Sequence, residues 1–456
     1  MKDILKNALK KANADYAEIR FETEDSTSLA YRGKEVERVS SGKYSGGIVR
    51  ACKNGGWATA VFDSADDIAH NVREACRSAA LVGREKTELA ETDPIPDREI
   101  RAQMKNDPRG VGLDDKLKVI REYNEIILSS APKIESSMLH YSDKFRTVHF
   151  ASTRGSYFME ERPRIVLHFS ATARDGSLVQ QSADGISSTD DYNAVLNKEK
   201  EVETVSRRAA ALLTAPACKG GKHTVILDPE LAGVFVHEAF GHLSEADFLY
   251  ENAQMKELMH LGRDMGVKEL NIYDDGSMER LAGTQTYDDE GTPAGRTYLI
   301  REGVLAGHLH SLETAAKMGE KPTGNARAIG RTSSPIVRMT NTVIEPGDKS
   351  FDELISGIDN GIYACSMIGG QTMMEMFTFS AGYGYRIENG QVGELVRDIV
   401  LTGNVFETLG SIDGFGNDLE ISQKGGGCGK GGQAPLPVTF GSPHIRIRDL
   451  VVGGTQ

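Results

Sequence analysis

Alternation of apolar and polar residues predicts an antiparallel sheet in the first half of the chain. Residues 13–63 alternate in short runs broken by turn residues, and Asn54-Gly55 is a strong signal for a two-residue hairpin between two such runs. Residues 133–186 alternate over longer stretches, with turn sequences at 153–155 and 175–176. This pattern is typical of long strands that bury one face.

Apolar residues at helical spacing predict three helices in the same half. These helices cover residues 65–80, a segment that starts at Asp114, and residues 193–213. Residues 90–113 are rich in Pro, Asp and Arg without periodicity, and we interpret them as a connection. Because strands and helices occupy separate blocks of sequence, the pattern predicts the α+β class.

The pattern changes near residues 216–221, where Pro-Ala-Cys-Lys-Gly-Gly is the best candidate for a domain boundary. Beyond it, short strand-like runs and glycine dominate. The chain has 456 residues, more than the roughly 250–300 that one core usually serves. We therefore predict a mixed α/β domain with an antiparallel sheet over residues 1–217, and a β-rich C-terminal domain over residues 218–456.

Composition and charge exclude several classes of protein. Hydrophobic residues make up 39% and charged residues 26% of the chain, and no apolar run approaches the ~18 residues that a membrane span needs. Residues 1–20 have apolar positions at helical spacing with lysines between them, unlike a secretory signal, so we expect a cytoplasmic protein without a membrane partner. The net charge of −13 is spread over interspersed acidic and basic residues, so nucleic acid is not an expected partner.

The most informative stretch combines a strand, a helix start and two histidines. Residues 225–227 predict a buried strand, and Pro229 suits the first position of the helix that follows. This helix, in the β-rich domain, delivers His237 and Glu238, and His242 comes next. Two neutral imidazoles can hold a divalent ion, and a glutamate beside the first can accept the proton of the attacking water. The motif predicts a metallopeptidase site.

The spacing between the two histidines requires a distorted helix. A metallopeptidase motif usually places them four residues apart, whereas here the separation is five. Five residues of an ideal α-helix advance roughly 140° past a full turn, which would aim the rings at different faces. We predict a π-bulge between Glu238 and His242, or an end of the helix near Gly241, that brings the rings together. The alternative is that the histidines are independent, one packed and the other solvated.

Tight binding requires a third protein ligand. Glu245 and Asp247 are close in sequence and are candidates. Cys428 is a stronger candidate because it lies in the glycine-rich segment 424–432, whose flexible backbone can approach a buried ion, and because a metal ion favours the thiolate. The alternative is a flexible linker that carries an incidental thiol. The other thiols are interpreted as buried and inert, since five scattered cysteines argue against a disulfide framework; they are Cys52, Cys76, Cys218 and Cys365.

Sequence blocks spread over almost the whole chain resemble the TldD/PmbA family of bacterial and archaeal modulators and peptidases. Besides Thr153-Arg154-Gly155 in the first half, ordered blocks carry this resemblance: residues 237–242 (HEAFGH), 288–293 (DDEGTP), 335–342 (PIVRMTNT) and 427–433 (GCGKGGQ).

The family resemblance implies a zinc peptidase whose ion is held by His237, His242 and Cys428, with Glu238 as the catalytic glutamate. Since the chain keeps all of these residues, it resembles the metal-bearing, TldD-like subunit. Family members cleave small unfolded polypeptides inside a cavity formed by a dimer, in peptide-antibiotic maturation and antitoxin turnover. The resemblance therefore implies a peptide substrate and either a homodimer or a heterodimer with a metal-free paralogue.

Two other functional classes stay open at the level of sequence. In the first, Cys428 is a nucleophile that His237 or His242 activates, which gives a metal-free cysteine hydrolase. In the second, the site is structural or vestigial, and the chain is a non-catalytic subunit that modulates a partner. The presence of Glu238 argues against the second class.

Three further polar groups have more than one interpretation. The acidic residues 288–290 either line the site, where they could receive the amino terminus of a substrate, or form a solvated turn. His308 and His310 alternate as on a half-exposed strand, and we do not count them as ligands. The last group either binds the carboxylate of a peptide or pairs with acids, and it comprises Arg327, Arg331 and Arg338.

Overall fold

The computed structural model of the chain describes residues 1–373 and 375–453. In the first half, helices pack on a large antiparallel sheet with the strand order β3-β2-β1-β5-β6, while β7 and the short parallel strand β4 both pair with β6. Its strands are β1 (Tyr16–Arg32), β2 (Glu35–Lys53), β3 (Gly56–Phe62), β4 (Arg98–Ile100), β5 (Ile134–Ser152), β6 (Tyr157–Asp175) and β7 (Leu178–Ser188). Its helices are α1 (Lys2–Leu9), α2 (Ile68–Val82), α3 (Leu113–Ser129) and α4 (Glu199–Leu212).

The two-residue period of β6 gives this sheet two different faces. Odd-numbered residues from Ile165 to Ala173 are buried, and they form one core with apolar residues of α3 and α4. Even-numbered residues, among them Arg162 and Arg164, point to the opposite face and line a cavity. The long strands predicted over residues 133–186 are therefore confirmed.

The predicted hairpin at Asn54-Gly55 is confirmed, since both residues have positive φ, 50° and 74°, between β2 and β3. The short runs predicted over residues 13–63 are instead long strands, because β1 pairs with β2 and β5 along nearly its whole length. The helix predicted over residues 193–213 is wrong in its first turns. A 3-10 turn and Asn197, with φ of 58°, precede α4.

The second half contains short strands, two long ones and short helices. Its strands are β8 (Gly221–Leu227), β9 (Ile272–Asp275), β10 (Arg296–Arg301), β11 (Val304–Leu305), β12 (Ala326–Arg327), β13 (Ile336–Val337), β14 (Asn341–Ile344), β15 (Asn360–Met373), β16 (Met376–Glu388), β17 (Gln391–Val396), β18 (Val400–Asn404), β19 (Ile412–Phe415), β20 (Glu420–Ile421), β21 (Gly426–Lys430), β22 (Gln433–Ser442) and β23 (Ile445–Gly453). Its helices are α5 (Pro229–Phe235), α6 (Ala246–Leu249), α7 (Ala253–Leu258), α8 (Leu312–Met318), α9 (Phe351–Ile355) and α10 (Val405–Gly410). The α+β class and the β-rich C-terminal region are confirmed.

Two sheets of the second half hold α5 between them. In one, the strands β15-β8-β23-β18-β16 close into a ring because β15 also pairs with β16. In the other, the order is β11-β10-β9-β14-β22-β20, and β21 pairs with β22. Phe235 of α5 packs edge-on against Phe377 of β16 in the closed sheet, with the centroids of the two aromatic rings 5.3 Å apart. On its other side, a Cβ at Gly233 would lie 3.1 Å from the Gly441 nitrogen of β22, so the helix and strand are in close contact. This packing fixes where α5 delivers the residues that follow it.

Across the described ranges, every helix is too short or too polar to cross a membrane.

Candidate metal site

The helix that leads to the candidate ligands begins at a well-formed N-terminus. Asp228 caps α5, because its Oδ1 accepts a hydrogen bond from the Leu231 backbone N–H at 2.7 Å. Its Oδ2 accepts a second bond, 2.9 Å long, from the Ser366 N–H of β15. Burial, reinforced by the charge of Glu230, raises the pKa of Asp228 to about 7. The start of the helix is thus attached to the closed ring of strands.

After Phe235 the helix widens, and this change brings the two histidines together. Residues 236–241 form a π-helical turn and residues 242–244 a 3-10 turn. In a π-turn the hydrogen bonds connect residues five apart, so residues at that spacing lie over one another. The ring centroids of His237 and His242 are accordingly 5.4 Å apart. The distortion predicted between Glu238 and His242 is confirmed.

Gly241 in this turn leaves no room for a side chain. A Cβ at this position would lie 2.1 Å from the Met339 sulfur, which is itself buried. We expect Gly241→Ala to lower the free energy of unfolding by about 1–3 kcal/mol through overpacking, and to loosen the π-turn. Thermal unfolding measures the effect. Gly410→Ala is the matched control, because in the described chain nothing lies within 4 Å of its added Cβ; an equal effect of both changes would contradict this prediction.

The glycine-rich segment brings Cys428 to the same place. Cys428 lies on β21, 186 residues after His242, and its Sγ is 3.1 Å from His242 Nε2. One ligand atom each from His237, His242 and Cys428 lie within 4.8 Å of one another. His237 and Cys428 are buried, and His242 is partly exposed. The structure therefore brings together all three residues that the sequence analysis assigns as ligands.

The imidazole of His237 shows that this cluster fits a metal ion. Both of its ring nitrogens are buried and have no hydrogen-bond partner among the described residues. A buried polar group without a partner costs roughly 1–3 kcal/mol, so an ion that accepts its lone pair would remove an unfavourable contact. Two imidazole nitrogens and one thiolate form a donor set that suits zinc.

Glu238 lies between the two histidines and faces open space. Its carboxylate oxygens are 4.0 Å from His237 Nε2 and 3.9 Å from His242 Nε2. Together with His237 and Cys428 it lines a cavity of about 250 Å³, whose wall also includes Ile368 and residues 424–427. The carboxylate can therefore reach a molecule in this cavity that also contacts the cluster.

Glu245 orients His242 from behind and is not part of the ligand cluster. Its Oε2 lies 2.9 Å from His242 Nδ1 and 2.9 Å from Lys430 Nζ, and Lys430 also pairs with Asp247 at 2.5 Å. This contact to Nδ1 leaves Nε2 directed at Cys428, as in carboxylate–histidine–metal arrangements. Glu245 and Asp247 thus hold the histidine and the lysine.

These contacts shift the pKa values of three groups. Although burial disfavours its charged form, the charge of Glu245 raises the pKa of His242 to about 11. Burial also opposes ionisation of Glu245, but His242 and Lys430 outweigh it and lower the pKa of that carboxyl to about 2. Burial raises the pKa of the Cys428 thiol, yet the two neighbouring imidazoles lower it overall to about 5. Cys428 is therefore a ready thiolate donor.

Lys430 supplies the positive charge that keeps Glu245 and Asp247 side by side. We expect Lys430→Met to weaken zinc binding about 10–100-fold, the range typical for loss of an outer partner of a metal ligand. Competition with a zinc-binding dye measures the affinity. Lys118→Met, at an exposed position of α3, is the control, and unchanged affinity in Lys430→Met would show that this lysine does not support the site.

The three arginines have different roles, and sequence reasoning did not separate them. The fully buried Arg338 donates to the carbonyl oxygens of Cys428 at 2.7 Å and Gln433 at 3.1 Å, so it holds the glycine-rich segment instead of binding a carboxylate. Arg331 lies 3.6 Å from Asp63. Arg327 donates to the carbonyl oxygens of Met339 and Pro437. Only a fold that joins distant segments reveals these contacts.

The acidic residues 288–290 are buried, so the solvated turn is wrong. Asp288 accepts hydrogen bonds from the backbone, including the Thr292 N–H at 2.7 Å. Asp289 pairs with Arg162 at 2.8 Å and Glu290 with Arg50 at 2.9 Å, and both arginines belong to the first sheet. Residues 288–290 thus join the two halves of the chain, and they do not line the cavity that contains Glu238.

His308 and His310 are buried and lie outside the strands, so the half-exposed strand is wrong. Both contact Glu320, His308 Nδ1 at 2.8 Å and His310 Nε2 at 3.2 Å. Burial opposes ionisation of Glu320, but the two histidines lower the pKa of its carboxyl to about 2. Leu309 between them accepts from and donates to the backbone of residues 244–246. The donor atoms of His308, His310 and Glu320 also lie close together, and through Leu309 this group anchors the segment that follows His242.

Sequence models of family domains match most of the chain. They are PmbA/TldA metallopeptidase domain 1 over residues 17–81, the central domain over residues 106–215 and the C-terminal domain over residues 220–454.

Relatives of similar length carry related descriptions. A metalloprotease from Synechocystis is 43% identical, over 97% of this chain and 96% of its own. A zinc metalloprotease TldD homolog from Saccharolobus solfataricus is 30% identical, over 98% of this chain and 99% of its own.

Solved structures share the fold at low sequence identity. A candidate modulator of a DNA gyrase from Thermotoga maritima has a TM-score of 0.79 at 20% identity and covers 99% of this chain and 100% of its own. TldE from Thermococcus kodakarensis has a TM-score of 0.78 at 18% identity and covers 100% of both chains.

Proposed function

Because the chain belongs to the PmbA/TldD family of metallopeptidases, we propose that it is a zinc-dependent peptidase that hydrolyses small or unfolded polypeptides. The observation that carries this proposal is the buried imidazole of His237, whose ring nitrogens have no hydrogen-bond partner among the described residues and which has a ligand atom within 4.8 Å of those of His242 and Cys428. Zinc is the ion that this donor set favours. The relative from Saccharolobus solfataricus, a zinc metalloprotease by description, gives further support.

In this proposal each residue of the cluster has a separate task. His237, His242 and Cys428 would hold the ion, and three protein ligands are the number typical of catalytic zinc sites. When bound, zinc polarises the scissile carbonyl and lowers the pKa of the attacking water. Glu238 takes the proton of that water and passes it to the leaving amine. Glu245 keeps His242 in the orientation that serves the cluster.

A metal-free cysteine hydrolase is a second candidate, because the Cys428 thiol has a lowered pKa and lies 3.1 Å from His242. A thiolate beside an imidazolium is the usual form of a cysteine nucleophile. In that mechanism His242 would be the base, and Glu238 and the ring nitrogens of His237, which lack a hydrogen-bond partner within residues 1–373 and 375–453, would have no function. This difference favours the zinc peptidase.

One experiment separates the two candidates. The purified protein is incubated with an unstructured ten-residue peptide, before and after removal of metal by a chelator. The zinc peptidase loses activity with its metal and regains it with one equivalent of zinc, and iodoacetamide has little effect on the loaded enzyme because the thiolate is ligated. Activity that survives the chelator and is lost on alkylation would contradict the proposal.

A second subunit is part of the proposed function. The hairpin of β15 and β16 exposes Ile368, Met373 and Met376, and Ile368 also lines the cavity beside Glu238. An exposed apolar hairpin at the mouth of a site suits a partner surface that closes the cavity, from either an identical chain or a metal-free paralogue. Light scattering on the purified chain tests the homodimer, and an active protein of monomer mass would contradict it.

A further inference from the structure

A large cavity of about 620 Å³ lies beside the metal cluster, on the polar face of the first sheet. It shares Lys424, His168 and residues 425–427 with the cavity that contains Glu238. The shared glycines lead directly to Cys428. Gly425 is three residues before Cys428, and three residues of extended chain span at most about 10 Å, so the shared wall lies within about 10 Å of Cys428. A peptide cleaved at the metal cluster can therefore place a residue roughly two to four positions from the cleaved bond in the larger cavity.

Cationic side chains dominate the charged wall of this cavity. Such a concentration is a local feature, because the whole chain carries a net charge of −13. A cavity lined by one sign of charge concentrates ligands of the opposite sign. In the described part of the chain the cationic wall residues are Arg38, Lys144, Arg146, Arg162, Arg164, Arg327 and Lys424, and the carboxylates are Glu24 and Asp289.

The register of the first sheet places like charges directly opposite one another. Lys144 of β5 faces Arg164 of β6, and Arg146 faces Arg162. Like charges at these positions destabilise a sheet unless something compensates them. Carboxylates compensate the second pair, since Arg146 contacts Glu22 at 2.6 Å and Arg162 is paired with acids as well. For the first pair, no carboxylate oxygen of residues 1–373 and 375–453 lies within 4.0 Å of the side-chain nitrogens of Lys144 or Arg164.

Arg164 of β6 and Arg327 of β12 both line the cavity, and their hydrogen-bond partners are mainly neutral carbonyl groups. Arg164 donates to the carbonyl oxygen of Ala282, and Arg327 donates to backbone carbonyls. Burial, reinforced by the charges of Arg327 and Arg146, lowers the pKa of Arg164 well below its ordinary value. Burial likewise lowers the pKa of Arg327 to about 10 although Asp274 opposes the change. A bound anion would relieve both guanidinium groups.

We propose that this cavity binds a carboxylate of the peptide substrate, either its C-terminal α-carboxylate or an acidic side chain, through Arg164, Arg327 and Lys144. Guanidinium groups bind carboxylates through paired charge-assisted hydrogen bonds, which matches the arginines of this wall. The connection to the metal cluster makes a peptide the occupant that the geometry favours. This inference rests on the proposed peptidase function for its substrate class.

Matched peptides test the proposal. An unstructured hexapeptide is prepared with a free C-terminal carboxylate, with a C-terminal amide, and as an amide in which an internal glutamine is replaced by glutamate. We expect the free acid or the glutamate peptide to bind and to be cleaved about tenfold better than the uncharged amide, the size of one charge-assisted hydrogen bond. The better of the two charged peptides identifies the source of the carboxylate. Equal binding of all three would overturn the proposal.

The variant Arg164→Gln should lose the tenfold preference for the better charged peptide and bind and cleave it about as well as the uncharged amide. Arg174→Gln is the matched control, because Arg174 lies on the same strand but is exposed and pairs with Glu135. If Arg164→Gln fails to fold, Lys144→Gln at an exposed position takes its place. A preference that persists in the folded variant would contradict the assigned residues.

Binding is measured separately from turnover, by anisotropy of labelled peptides with the zinc-loaded protein carrying Glu238→Gln. Carboxylate-dependent binding without cleavage of any peptide by the wild type would contradict the peptidase function alone. Cleavage without carboxylate dependence would contradict the basic cavity alone.

Discussion

Replacing Cys428 by serine is expected to remove zinc from the purified protein and to abolish its peptidase activity. A serine hydroxyl does not ionise at neutral pH and is a poor zinc ligand, so only two imidazoles would remain. The affinity should fall by more than about 100-fold, beyond the effect of losing an outer partner of a ligand. Elemental analysis after dialysis measures the loss.

Cys76→Ser is the matched control for this experiment, because Cys76 is a buried thiol of α2 in the first half of the chain. The control should keep its zinc. One equivalent of zinc in Cys428→Ser, with full activity, would show that the thiolate is not a ligand.

Glu238→Gln should leave the metal content unchanged and lower kcat about 10²–10⁴-fold, the usual contribution of a general base. Glutamine has the same shape but cannot take the proton of the attacking water. KM should change little, because Glu238 is assigned no role in holding the peptide. Initial rates with an unstructured peptide and zinc analysis of the same samples give both quantities.

Glu257→Gln, at an exposed position of α7, controls for the loss of one negative charge. A Glu238→Gln protein that keeps more than a tenth of the wild-type kcat would contradict the role of general base. Loss of zinc in that variant would instead indicate that Glu238 is a ligand.

The geometry of the turn that carries His237 and leads to His242 could be predicted from sequence, because it depends on residues that are neighbours in the chain. The five-residue separation of His237 and His242 is incompatible with two ligands on an α-helix, so the pattern predicts the π-turn that the structure contains. Cys428 could not be placed in this way. It is 186 residues from His242; its glycine-rich surroundings and its thiol made it a candidate ligand, and the resemblance to the TldD/PmbA family decided between this interpretation and a flexible linker.

Residues that act through another side chain left no pattern in the sequence. Glu245 was a candidate ligand, but its carboxylate contacts Nδ1 of His242 and the Lys430 ammonium. Arg338 could bind a carboxylate by its chemistry, yet the fold directs it to backbone carbonyls of the glycine-rich segment. Such roles depend on contacts between segments far apart in the chain.

The strand lengths of the first sheet were underestimated for a physical reason. The N-terminal part of β2, from Glu35 to Ser45, is largely exposed and therefore lacks the alternation that marks a half-buried strand. Its backbone is nonetheless paired with β1 along this stretch. Alternation of apolar and polar residues marks the part of a strand that packs on a core, whereas backbone hydrogen bonds to a neighbouring strand can extend the strand beyond that part.

X-ray absorption at the zinc edge of the purified wild-type protein reports the ligands of the ion themselves. We expect one zinc per chain with two nitrogen ligands at about 2.0–2.1 Å and one sulfur ligand at about 2.3 Å. An ion with no sulfur in its first coordination shell would contradict this expectation, since the convergence of Cys428 with the two histidines would then have no part in binding the metal.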